Sequence, residues 1–426
     1  MNGSMDMADN ISYEHSVLLD ARKCTGCTNC LRRCPTEAIR IRNGHAVIDE
    51  ERCIDCGECI RTCDNKAKKA VHGKLQSMDR FRYKIALPAP SLYGQFDNLD
   101  DVDFVLDGLL RIGFDDVFEV SKAAELVSAY TRQYLKAEGI ARPVISSACP
   151  VIVRLIALRF PSLQENIMHM LPPMEVAAKL ARKRALENHP ELKPEEIGVC
   201  FISPCPAKVS YVKNGFADYK SQVDEVVAIS DVYFQLIGEM SRENDVQVST
   251  ESGMVGIGWA SSGGEATALF NEEYLAADGI ENVINVLEQI ENGNIPAVKF
   301  IELNACPGGC VGGVLTVQNP FIAKARLQSL RQFLPVSQNF LTPEEEQYIP
   351  EMYLFDELPE YKPISKLSDS IVKSMRMMAD IHKIKDTLPG IDCGACGAPS
   401  CRAFAEDIVK GNATVDKCPI LGKERP

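Results

Sequence analysis

From about Tyr83 onward, short apolar runs alternate with amphipathic stretches, a texture that predicts strands and helices taking turns along the chain. Strands are expected near Lys84–Leu87, Asp116–Glu119, Val144–Ile145, Gly198–Ile202, Glu225–Ala228 and Ala297–Glu302. Helices are expected near Val102–Ile112, Lys122–Leu135, Val151–Arg159, Met174–Glu187, Asp231–Met240, Val283–Gln289 and Pro320–Phe333. Beyond Phe340 the run LTPEEEQYIPEMYLFDELPEYKP, rich in Pro, Glu and Tyr, reads as a connecting segment. Leu367, Ile371, Met375, Met378, Ile381 and Ile384 then recur every three or four residues, which predicts one amphipathic helix over Ser365–Thr387, expected to pack on the main domain.

Composition narrows the class. A chain of 426 residues exceeds one compact core and suggests roughly two to four domains. Its 46% hydrophobic and 25% charged residues are ordinary for a globular protein. The formal charge of −13 argues against nucleic acid and against an anionic membrane surface as partners. No run reaches the length of a membrane span, and the polar, acidic start MNGSMDMADN is not a secretory signal, so a cytoplasmic location is expected. Seventeen cysteines in a reducing compartment point to metal rather than disulfides. They cluster at the two ends, from Cys24 to Cys63 and from Cys393 to Cys418, with five in between.

At the first end, CTGCTNCLRRCP over 24–35 and CIDCGECIRTC over 53–63 repeat one C-x-x-C-x-x-C-x-x-x-C spacing. This is the bacterial two-cluster ferredoxin pattern, in which the fourth cysteine of each run serves the other cluster. One 4Fe-4S cluster then takes Cys24, Cys27, Cys30 and Cys63, and the other Cys53, Cys56, Cys59 and Cys34. Asp64 stands where a proline usually follows. Zinc prefers four sulfurs in two pairs, not two interleaved sets.

In the middle, FIELNACPGGCVGG sets Cys306 and Cys310 in a glycine-rich turn after an apolar lead-in, where backbone can wrap closely around a sulfur-loving group. Cys149 in VISSACP and Cys205 in CFISPCPAK follow similar apolar runs. Three strand-to-loop junctions can converge at the carboxyl edge of parallel sheets and supply four sulfurs to one cluster. The alternative is that these are buried packing cysteines, the role assigned to Cys200.

These motifs together resemble the FeFe hydrogenases, with a ferredoxin-type module ahead of the catalytic domain. The resemblance implies an α/β H-cluster domain of two parallel-sheet lobes with flanking helices, an N-terminal two-cluster α+β module and a small helical C-terminal cluster domain. Expected boundaries are 1–79, 80–340, 341–388 for the connecting segment and helix, and 389–426. In that family three loops hold an H-cluster, a 4Fe-4S cubane joined to a two-iron subsite bearing CO, cyanide and a bridging dithiolate amine. SSACP, SPCPAK and ELNACPGGC match those loops, so Cys149, Cys205 and Cys306 are implied as cubane ligands and Cys310 as the shared thiolate. Lys208 is implied as the partner of one cyanide, Ala89, Pro90 and Ser91 as the segment binding the other, and Gly258 to Gly264, including Gly263 and Gly264, as a turn facing the cluster. The C-terminal CGACGAPSC with Cys418 resembles a small 4Fe-4S domain of anaerobic redox proteins, implying Cys393, Cys396, Cys401 and Cys418 as a third accessory set; a structural zinc site is the alternative.

The departures matter as much as the matches. Ala148 stands where catalytic members carry a proton-donating cysteine. An ungapped alignment places Ser128 and Thr131 at relay glutamates and Met168 at a relay serine, while a shifted register keeps Glu125; Glu302, Glu175 and His169 are the alternative proton carriers. Ser203 and Asn304 replace methionines and Tyr211 a glutamate, changes expected to make the pocket more polar. The resemblance therefore implies slow, reversible H2 cleavage in a hydrogen or redox sensor. The partners implied are H2, protons, a ferredoxin-like or regulatory redox protein and maturation proteins. A metabolic ferredoxin-linked hydrogenase and a non-catalytic iron–sulfur protein are the alternatives.

Overall fold

The computed structural model describes residues 14–215, 219–240, 249–359, 367–368 and 370–421. Ser365, where the last helix is expected to start, lies outside them. The N-terminal module consists of β1 (Val17–Leu19), α1 (Asn29–Arg32), β2 (Ile39–Arg42), β3 (His45–Ile48), α2 (Glu58–Arg61) and β4 (Lys68–Ala70). Strand β1 pairs antiparallel with β4 and β2 with β3. These strands are too short to show periodicity in sequence, and Val17, Leu31 and Ile39 form the small core beneath them.

The central domain begins with β5 (Tyr83–Pro88), α3 (Asp103–Arg111), β6 (Asp116–Val117), α4 (Val120–Tyr134), β7 (Val144–Ile145), α5 (Pro150–Arg159) and α6 (Pro173–Asn188). It continues through β8 (Ile197–Ser203), α7 (Pro206–Asn214), β9 (Glu225–Ala228), α8 (Ile229–Met240), α9 (Met254–Gly258) and α10 (Gly264–Thr267). It closes with β10 (Tyr274–Asp278), α11 (Ile280–Glu291), β11 (Phe300–Asn304) and α12 (Pro320–Arg331). The strands form two parallel sheets, ordered β6-β5-β8-β9 and β10-β11-β7. Because β8 is buried along its whole length, it reads as the continuous apolar run IGVCFIS, the mark of a strand covered on both faces. Cys200 sits fully buried within it, away from the other thiols' loops.

Strand β6 stops at Val117, because α4 begins at Val120 with Glu119 as its N-cap residue, whose carboxylate accepts the Glu251 N–H at 2.6 Å and the Thr250 hydroxyl at 3.0 Å. Strand β11 starts at Phe300, and β10, which pairs with it from Tyr274↔Phe300 to Asp278↔Asn304, adds a strand to those expected.

The C-terminal module holds α13 (Ile371–Thr387) and α14 (Cys401–Val409). Ser370 caps α13 and Ser400 caps α14 through their hydroxyls. Contrary to expectation, α13 packs on α14: Ile381 and Ile384 share one core with Ala403 and Phe404. No helix among the described residues is long and apolar enough to cross a membrane.

Candidate metal centre

Cys149, Cys205 and Cys306 each lie just past the carboxyl end of a parallel strand. Cys149 follows β7 as the N-cap residue of α5, and Cys205 follows β8 as the N-cap residue of α7. Proline at the first helical position of both suits a site whose N–H would go unbonded anyway. The positive end of each helix favours thiolate there. Cys306 follows β11, and Cys310 opens the 3-10 turn Cys310–Gly312. Gly309 lies at φ 91, and a Cβ there would come within 2.4 Å of the Ser262 nitrogen; one on Gly313 would meet the Pro204 carbonyl oxygen at 2.1 Å. Only glycine lets the third loop press against its neighbours so closely.

The four cysteines line one cavity of about 80 Å³. Lys208 lies in the same wall, its Nζ 3.9 Å from the Cys310 sulfur. Burial alone pulls the ammonium down, but negative charge on Cys310, Cys205, Cys149 and Cys306 as thiolates outweighs it and holds Lys208 above its ordinary range. Burial pushes the Cys149 thiol up and Cys306 to about 11, the latter opposed by the Arg61 guanidinium. In a thiol-only site such burial costs energy, and a bound cation reverses it by taking the proton's place.

Ala89, Pro90, Ser91, Ala148 and Asn304 line the cavity. Ser203 does not: its Oγ accepts the Cys205 N–H at 3.1 Å and faces its own loop, so the added polarity comes from Asn304. Gly263 and Gly264 stand behind the wall, where Gly263 N–H donates to Glu302 at 2.9 Å. The buried Ser91 hydroxyl has no hydrogen-bond partner among the described residues.

Among the positions in the alternative alignments, Ser128 meets the cavity wall through the Trp259 indole, which is no acid–base relay. Ser128 donates to the Ala124 carbonyl and accepts the Trp259 indole N–H at 2.9 Å, and Thr131 donates to the Val127 carbonyl. Glu125 binds Gly253 N–H, the Ser337 hydroxyl and the Gln338 and Asn339 N–H groups, which makes it a loop anchor. Glu175 is held by Tyr219, Ser221 and Gln222, and His169 stacks on Phe355.

Glu302 does line the cavity, and it brings a partner that sequence reasoning missed: Glu265, at the start of α10. Both carboxyls are almost completely buried. Ser146 Oγ donates to Glu265 at 2.8 and 2.7 Å and accepts the Ala148 N–H at 3.1 Å. Glu302 receives the Gly263 and Ala266 N–H groups and the Asn304 amide at 2.6 Å. Burial and then the neighbouring Glu302 charge push Glu265 well above the carboxylate range; burial raises Glu302 too, but its three donors oppose the rise. The Glu302 charge acts on Glu265, so the two titrate as a pair. The signal available in the sequence was a lone acid directly after the GWASSGG turn.

The remaining twelve site cysteines gather in three smaller cavities. Cys24, Cys27, Cys30 and Cys63 surround one of about 20 Å³, Cys34, Cys53, Cys56 and Cys59 another of about 20 Å³, and Cys393, Cys396, Cys401 and Cys418 one of about 10 Å³. The second set abuts the central domain, where Arg61 donates to the Gly312 carbonyl at 2.7 Å and Gly57 backs onto Val314. The first set abuts the C-terminal module: Gly394 lies beside Leu31, and Ile41 N–H donates to the Gly397 carbonyl at 2.9 Å. Asp407 clamps that module through Arg40 at 2.9 Å and Arg42 at 2.5 Å, and Glu406 through Arg52 at 3.1 Å. The inner set thus lies against the central domain, and the C-terminal module borders both N-terminal runs, with Gly394 beside Leu31 and Ser400 bonded to Glu37.

Comparison with known proteins matches each of the three modules separately. Residues 16–64 match a 4Fe-4S dicluster domain and residues 388–420 a family of Fe-S cluster domains. Two curated relatives match briefly. One, a component of the Na(+)-translocating ferredoxin:NAD(+) oxidoreductase complex of Acetobacterium woodii, is 49% identical over 39 residues, 9% of this chain and 12% of that protein. The other, a component of the ion-translocating oxidoreductase complex of Thiobacillus denitrificans, is 50% identical over 43 residues, 10% of this chain and 23% of that protein. The chain spans less than a quarter of the length of either. An apo form of the [FeFe]-hydrogenase HydA1 from Chlamydomonas reinhardtii aligns with a TM-score of 0.50 at 16% identity, covering 66% of this chain and 98% of that one. That likeness speaks for the fold. Residues 82–268 and 237–314, together more than half of the chain, match the model for the iron only hydrogenase large subunit, C-terminal domain, and the chain belongs to that FeFe hydrogenase family.

Proposed function

We propose that this protein holds an H-cluster on Cys149, Cys205, Cys306 and Cys310, cleaves H2 reversibly and slowly into protons and electrons, and acts as a hydrogen or redox sensor. The observation that carries the reading is an internal comparison. The three cavities expected to hold plain 4Fe-4S cubanes measure about 20, 20 and 10 Å³, whereas the central one measures about 80 Å³. A cubane alone leaves that space unused, so the donor set fits a larger group and the cubane-only alternative is disfavoured. The unpartnered Ser91 hydroxyl and the thiol-facing Lys208 supply a hydrogen-bond donor and a cation for anionic ligands.

When bound, such a group supplies the metal that takes up H2 and the first electron acceptor. The chain does the rest. Lys208 holds positive charge against the shared thiolate Cys310, and Ala89, Pro90 and Ser91 close the wall. Because Ala148 has no proton to exchange, a released proton passes to the Ser146 hydroxyl, which hands its own to the Glu265–Glu302 pair. Clusters held by the inner, outer and C-terminal cysteine sets would carry the electrons toward a ferredoxin-like or regulatory partner. We place the division of labour at 1–79, 80–340, 341–388 and 389–426.

Slow proton delivery suits a sensor, in which occupancy of a redox state counts more than turnover. Three accessory sets favour, as a second reading, a metabolic ferredoxin-linked hydrogenase. Turnover of the matured protein separates them: H2 oxidation and evolution should both be measurable yet far slower than in enzymes with an intact relay cysteine. Rates equal to theirs would remove the sensor reading, and no exchange of H2 with solvent protons would remove hydrogen chemistry.

A further inference from the structure

The N-terminal module is a repeat, and its two halves match in fine detail. Ala38 N–H donates to the Cys34 sulfur at 3.2 Å, and Ala67 N–H to the Cys63 sulfur at 3.2 Å. Glu37 and Lys66 share a left-handed backbone at φ 51 and φ 49. Thr28 and Gly57 do the same ahead of α1 and α2, as do Gly26 and Asp55 inside the cysteine runs. With backbone geometry equal, the two cysteine sets differ by the side chains that break the repeat.

Two of those breaks place opposite charges. Five residues beyond the fourth cysteine of each run stand Ile39 and Lys68, both at least nine-tenths buried. Ile39 covers the inner cavity as an apolar side chain. Lys68 covers the outer cavity, and its Nζ has no hydrogen-bond partner among the described residues. A buried ammonium with no counter-ion is costly; its field reaches Cys30 of the outer set and Cys59 of the inner one, but the cavity it lines is the outer one. Two residues after the first cysteine of each run stand Gly26 and Asp55. Gly26 lines the outer cavity and brings no charge. Asp55 lines the inner one: its carboxyl accepts the Ser16 N–H at 2.8 Å and the Ser210 hydroxyl at 2.7 Å, donors that oppose the rise burial imposes, and lies 3.7 Å from the Cys53 sulfur.

We propose that Lys68 and Asp55 set the two N-terminal clusters at different reduction potentials, the outer above the inner, so that an electron moving out from the central domain settles on the outer cluster beside the C-terminal module. Reduction adds one negative charge to a cluster and moves no proton. A buried cation stabilises that added charge on the outer cluster, and a buried carboxylate opposes it on the inner one. The lysine also finds in the outer cluster the counter-charge it lacks among protein atoms. This rests on the cysteine sets holding clusters, as proposed above, and is independent of the hydrogen chemistry.

Potentiometric titration followed by electron paramagnetic resonance tests it on the full-length, cluster-loaded protein, with the outer cluster identified as the signal perturbed by Cys27→Ser. Lys68→Ile installs the residue its repeat partner already carries; the outer cluster should become at least tenfold harder to reduce, about 59 mV for a one-electron couple. Lys68→Arg should keep most of the wild-type value. Asp55→Asn should move the inner cluster the other way, so each substitution narrows the gap. Unmoved midpoints, or a gap that widens, would overturn the proposal. If Lys68→Ile fails to retain its cluster, the Asp55→Asn shift decides alone. Missing hydrogen turnover alongside shifted midpoints would refute the functional reading and leave this one standing.

Discussion

Replacing Glu265 with glutamine isolates the proton step. The amide keeps the size of the carboxyl and still accepts from Ser146, whose hydroxyl lies 2.8 and 2.7 Å from the two oxygens, so packing is preserved. What disappears is a group that can take up and release a proton at the cavity wall. A positioned acid–base group contributes about 10² to 10⁴-fold in rate. Asn304, with its amide 2.6 Å from Glu302, offers a partial substitute contact but no proton exchange, so the lower end is expected: a loss of about 10²-fold, equivalent to about 2.7 kcal/mol of barrier. The assay is formation of HD from D2 in ordinary water by the matured protein, with iron content confirming intact centres. Because the two acids act as one unit, Glu302→Gln should lose a similar factor and the double variant little more. Exchange within threefold of wild type in Glu265→Gln would refute the proposed route.

Other consequences are direct. Asp407→Ala strips the partner from Arg40 and Arg42, whose side chains are 14% and 25% exposed, and should loosen the C-terminal module by about 3 kcal/mol, seen as roughly hundredfold faster backbone hydrogen exchange in α14. Gly309→Ala forces a Cβ to within 2.4 Å of the Ser262 nitrogen and should cost the central site its iron while the accessory iron stays. Ala148→Cys alone should not restore fast turnover, since Ser128 and Thr131 remain tied to their own helix; full rescue would show that the relay is intact.

The cysteine loops were legible because each combines an apolar strand with glycine or proline at the turn, and chemistry needs all three signals together. Val144–Ile145 and Glu225–Ala228 are apolar runs bounded by turn residues, and both form where expected. Tyr274–Asp278 hid, because YLAAD has alanines at its centre and neither alternates nor stays apolar; pairing with Phe300–Asn304 makes it a strand. Glu119 looked like the end of a strand until the loop at Thr250 offered it donors. The Glu265–Glu302 pair was invisible for a similar reason. Nothing local marks an acid as buried, and the two meet only when α10 lies against β11. Arg61, which joins α2 to the third loop, shows the same limit, for its target Gly312 is 251 residues away. The interleaving of the two N-terminal sets, by contrast, follows from spacing alone.

Infrared spectroscopy of the matured protein tests the central claim most directly, since CO and cyanide absorb where protein does not. The account predicts such bands, and predicts that they are lost in a Cys310→Ala variant whose accessory clusters remain. A fully iron-loaded protein with no CO or cyanide bands would contradict it, leaving a multi-cluster electron carrier.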